Sequence, residues 1–79
     1  MTMSRESLAD ALPKEIKRVQ AKRERWLEYE REAGPRANFK PALFMMQASI
    51  DEGVASLASG DVVRMLRAYQ DLQDHDDRD

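Results

Sequence analysis

Between Pro41 and Leu57 the sequence reads PALFMMQASIDEGVASL, and this run constrains the fold more than any other. At about 100° per residue, Leu43, Met46, Ile50, Val54 and Leu57 share one face of a helix. Phe44, Ala48 and Ala55 form a second stripe about a quarter turn away. More than half of the circumference is apolar, so the spacing predicts a helix over 41–58 that is covered from two sides and lies in the middle of the fold. Gly53 borders the apolar face, where a missing side chain suits the close approach of another backbone.

Punctuation on either side sets the other elements. Gly34-Pro35 stops whatever precedes it, because glycine suits the left-handed residue after a helix and proline prevents continuation. Proline is best tolerated in a first helical turn, so the first long helix is predicted from Pro13 to residue 33. Ser7 and Asp10 resemble a capping box for a short turn over Leu8–Leu12, and residues 1–6 are expected to fray. Pro41 opens the central helix, with Asn38 or Lys40 near its cap. Ser59-Gly60 closes it, and Asp61 caps a third helix over 61–73. There Val62, Met65, Leu66, Tyr69 and Leu72 make the apolar stripe, with Arg64 and Arg67 opposite. From Gln73 onward, QDHDDRD is too charged to bury, so 74–79 reads as a disordered acidic tail. The fold class is therefore all-α: a long N-terminal helix packed on or beside a C-terminal antiparallel hairpin, with a second subunit available to complete the core.

The second subunit enters through size. With 79 residues, 35% of them charged and 42% apolar, a single core rarely supplies more than about 3–5 kcal/mol. No cysteine is present and no zinc-type ligand cluster, so no disulfide or structural metal adds to it. The first helix carries Leu12, Ile16, Val19, Trp26, Leu27 and Ala33 on one stripe, interrupted by Arg23 and Glu30. Its basic residues crowd the positive end of the helix dipole and its acidic ones the negative end, so local stability did not set their order. At 1.5 Å per residue it spans roughly 30 Å against about 18 Å for the third helix. The overhang would leave Trp26 or Leu12 in water unless another subunit covers it. This predicts a homo-oligomer, a dimer first of all, or a protein partner, with Arg23, Trp26, Tyr29, Glu30 and Met45 as the candidate interface. Arg23 and Glu30 would meet their opposites across a two-fold axis.

No motif carries a specific chemistry. The single histidine, His75, falls in the acidic tail, where nothing in the sequence holds it in place. Asp51 and Glu52 point about 100° apart on a helix and make no acid–base pair. The chain is therefore read as a non-enzyme without metal or cofactor. Residues 14–25 hold six basic and two acidic side chains, and Lys14, Lys17, Arg18, Lys22 and Arg25 are the candidate nucleic-acid face. Net charge is only −2, which by itself implies neither nucleic acid nor membrane. No signal-peptide core or membrane-length apolar run occurs, so the expected location is cytoplasmic. These features together predict a small intracellular helical protein–protein interaction module, a regulator or adaptor. The alternative is a nucleic-acid-binding accessory protein using the first helix.

Overall fold

The computed structural model describes residues 7–34 and 38–75. They form α1 (Leu8–Ala33), α2 (Lys40–Ser59) and α3 (Val62–Gln73), and each helix packs on the other two. The expected all-α architecture is present. Residues 1–6, expected to fray, and residues 76–79 of the expected disordered tail lie outside the described residues.

α1 starts at Leu8, not at Pro13. The Ser7 hydroxyl accepts from the Asp10 amide at 3.3 Å and donates to its carboxylate at 3.1 Å, which supplies the cap. Pro13 forfeits one early backbone bond, yet Leu12 just before it is completely buried, and that burial holds the turn in the helix. Gly34 ends α1 at φ +78° with its N–H on the Glu30 carbonyl. Phe39, neither Asn38 nor Lys40, is the N-cap of α2 and makes no side-chain cap bond. Pro41 stands in the first turn, where its missing donor costs nothing. Gly60 closes α2 at φ +71° with its N–H on Ser56 and Leu57, and the Asp61 carboxylate caps α3 through the Val63 and Arg64 amides. A two-residue link then forces an antiparallel hairpin.

The core comprises Leu12, Ile16 and Val19 from α1, Leu43, Met46 and Ile50 from α2, and Met65, Ala68 and Leu72 from α3. Two faces differ from the wheel. α2 turns Ser49, Gly53 and Ser56 inward and leaves Phe44, Ala48 and Val54 outside. α3 buries Ala68 and leaves Val62 and Leu66 outside. Size is the reason: a β-carbon on Gly53 would lie 3.1–3.2 Å from Ile16 and Leu72 side-chain carbons. Those side chains, not a neighbouring backbone as predicted, use the space. Ser56 costs little inside, because its hydroxyl donates to the Gly53 carbonyl at 2.8 Å. α2 is therefore one of three mutually packed helices and not a central layer, so its second stripe stays largely uncovered.

The expected overhang does not expose the residues named for it. α1 has 26 residues to the 12 of α3, but the 20 residues of α2 run back beside its C-terminal half. Trp26 is half-buried there, its ring 5.2 Å from that of Phe39 with the Lys22 ammonium 5.6 Å from its centroid. Both Leu12 and Trp26 are covered within the chain.

Candidate functional site

The end of α3 is held from two sides. Arg18 on α1 donates to the Leu72 carbonyl at 2.8 Å and the His75 carbonyl at 2.7 Å, while its Nε meets Glu15 at 3.0 Å. The last carbonyls of a helix lack intrahelical donors, and a cation there also meets the negative end of the dipole. The clamp fixes His75, which sequence composition leaves in solvent. Its Nε2 lies 2.9 Å from the Ser49 hydroxyl of α2, and the same hydroxyl lies 2.6 Å from the Asp71 carboxylate. Arg18→Met should speed amide exchange at residues 72–75 and lower stability by about 1–3 kcal/mol, read from urea unfolding.

The cluster contains serine, aspartate and histidine, but not in the order of an activated nucleophile. The Ser49 hydroxyl donates to the Asp71 carboxylate and also meets His75 Nε2, so the serine stands between the other two. In a nucleophilic triad the histidine stands in the middle, with the carboxylate on its other ring nitrogen. Here the three side chains tie α2 to the end of α3. Sequence reasoning missed them. Asp71, in the last turn of α3, and His75, just past its end, are four residues apart, and Ser49 falls on the buried side of α2 between Met46 and Gly53, which was the available signal.

Beside this tie runs an open face built by α2 and α3. One hollow of about 430 Å³ lies between Phe44, Met45 and Ala48 on one side and Asp71, Asp74 and His75 on the other. A second, of about 540 Å³, is lined by Glu52, Asp61, Val63, Arg64, Arg67, Ala68 and Asp71. Phe44 is 74% exposed, and Met45 and Val63 are each 60% exposed. Arg64 bridges the helices to Glu52 at 2.6 and 3.0 Å. That hydrogen bond holds the Glu52 carboxyl below its usual range and raises Arg64 above its own. A lowered folded-state value means the contribution is present above the ordinary glutamate value and is lost as pH falls below about 4. Both groups are at the surface, so the effect is small. Glu52→Gln should move the urea midpoint slightly at neutral pH and leave it unchanged at pH about 3.

The residues expected to act together divide. Arg23, Trp26 and Glu30 are half-buried and Tyr29 exposed, all on the C-terminal half of α1, and the buried Nε of Arg23 has no hydrogen-bond partner among the described residues. Met45 lies apart from them, on the α2–α3 face. Of the five basic residues, Lys14, Lys17 and Arg25 are exposed. Arg18 is drawn onto the end of α3 and Lys22 is buried beside Trp26, so the five do not present one outward face. Among the described residues no three metal-binding side chains converge, and no helix is long and apolar enough to cross a membrane. No protein-family profile matches the chain, and no curated protein or solved structure matches it either.

Proposed function

We propose that this chain is a small helical protein–protein interaction module that docks through the α2–α3 face. The observation that carries the reading is the orientation of Phe44. Burying a phenylalanine side chain gains about 1.5–3 kcal/mol, yet α2 turns two serines and a glycine inward and holds that ring in water beside Met45. Close packing of the three helices sets that choice, and it leaves an aromatic ring and a thioether as apolar surface that the chain itself does not cover. Aromatic and methionine side chains flanked by polar ones are the composition of an interface centre. The basic residues of α1, with two of five turned inward, give nucleic-acid binding less support.

A photoreactive benzoylphenylalanine at position 44 tests the reading in cells, with the same group at exposed Gln20 of α1 as control. A discrete protein adduct at 44 and none at 20 is the expected result. No adduct at 44 above the control would refute the docking face.

A further inference from the structure

We propose that the partner of this face is a second copy of the chain, with α3 lying antiparallel on α3. The proposal rests on the docking face just described and names what occupies it. Arg64 and Arg67 sit in the first half of α3, and Asp71 and Asp74 at its end. That order opposes the helix dipole, which favours acids at the start and bases at the end. It is also self-complementary. Arg64 and Asp74 each stand five residues from Tyr69, and Arg67 and Asp71 each stand two. An antiparallel copy registered at Tyr69 therefore sets Arg64 against Asp74 and Arg67 against Asp71, and the two-fold axis repeats both pairs.

The side chains are on the right surface for this. Arg64, Arg67 and Asp71 line one hollow, and Asp71 and Asp74 line the next. Arg64 keeps Glu52 as its partner and gains a second acid, and Asp71 spends only one carboxylate oxygen on Ser49. Ser49 lies level with Asp71 and Glu52 with Arg64, so the axis passes α2 close to Ile50. The same rotation carries Phe44 and Met45 to the far end of the other copy's face. There the larger hollow offers Val63 and Ala68 between charged side chains, Glu52 and Asp61 among them. Antiparallel α3 helices also set opposite dipole ends side by side.

The face is about 18 Å long and two helices, or about 20 Å, wide. Each copy thus gives up some 400 Å², and the pair falls at the low end of specific interfaces, where association is transient and concentration-dependent. Cross-interface charge pairs at a rim are screened by salt, so the dimer should weaken from low salt to about 1 M, where the screening length is about 3 Å.

Sedimentation equilibrium of the purified chain gives the first reading. Dimer formation at tens to hundreds of micromolar is expected, and both Arg67→Glu and Phe44→Ser should raise Kd about tenfold with unchanged far-UV circular dichroism. Register is tested by cysteine pairing, which the cysteine-free chain makes clean. Mixing Arg64→Cys with Asp74→Cys under mild oxidation should give the mixed disulfide, with little of either homodimer, because each position faces the other. A monomer up to about 1 mM, or homodisulfides as abundant as the mixed one, would overturn the pairing. If the chain is monomeric while position 44 still cross-links to a different protein, the docking face stands and its occupant is not a second copy. No adduct at 44 removes both.

Discussion

Gly53→Leu should leave little folded protein. A β-carbon alone at this position would lie 3.1 Å from Ile16 Cγ1 and 3.2 Å from Ile16 Cδ1 and Leu72 Cδ1. Leucine adds three more carbons in a space already filled from α1 and α3. Overpacking by a few methylenes costs about 1–3 kcal/mol where the core can yield, and the three-helix contact here has no slack side. A core of this size offers about 3–5 kcal/mol in all, so the cost approaches the whole. Alanine at the same position separates the two effects. It gains about 1 kcal/mol of helix propensity and needs its neighbours to give by a few tenths of an ångström. Its net change should be zero to about 2 kcal/mol destabilising. Ile16→Val removes the Cδ1 carbon and should make Gly53→Ala cheaper than it is alone, a coupling read from a double-mutant cycle in urea. Gly53→Leu unfolding within about 1 kcal/mol of wild type would show that the helices do not meet at this residue.

Gly53 also explains what a sequence can and cannot reveal here. The helix ends were legible because their causes are local: Ser7 caps with its own hydroxyl, Gly34 and Gly60 take positive φ, and Asp61 accepts two amides ahead of it. The start of α1 was misplaced furthest, by five residues. There a long-range effect, the burial of Leu12, outweighed the local penalty of Pro13. The faces were less legible. A helical wheel ranks residues by hydrophobicity, whereas helices that approach closely select for small side chains. Ser49, Gly53 and Ser56 won the interior of α2 on size, and Phe44 and Val54 were displaced to the outside.

The site was legible in parts for similar reasons. Met45 projects away from the main stripe in any helical reading and is exposed, as expected. The charge order of α3 stands in the sequence as plainly as that of α1. The partners of Arg18 do not, because they lie 54 and 57 residues away and are backbone carbonyls that any sequence would supply. Composition placed His75 in solvent, since five aspartates crowd residues 71–79. The fold overrides composition at that one residue by presenting Ser49 to its ring and an arginine to its carbonyl.

Ile50→Ala should lower stability by about 2–5 kcal/mol, while Val54→Ala, one turn later on the same predicted stripe, should change it by less than about 0.5 kcal/mol. Ile50 is 3% exposed within the nine-residue core, and Val54 is 53% exposed. Truncating Ile50 removes packed carbons and leaves a cavity between helices that Gly53 already holds close, so little collapse can refill it. At Val54 the lost carbons faced water, and alanine's better helix propensity offsets what remains. In a domain this small, each kcal/mol moves the melting temperature by about 4–8 °C. The first variant should therefore melt at least 8 °C lower and the second within a few degrees of wild type. The comparison belongs at low micromolar protein, below the expected dimer range, where burial within one chain is the only term. Equal losses from the two substitutions would mean that α2 presents Val54 to the core after all. In that case Ser49 and Asp71 would no longer face each other, and the tie that holds the α2–α3 face would be gone.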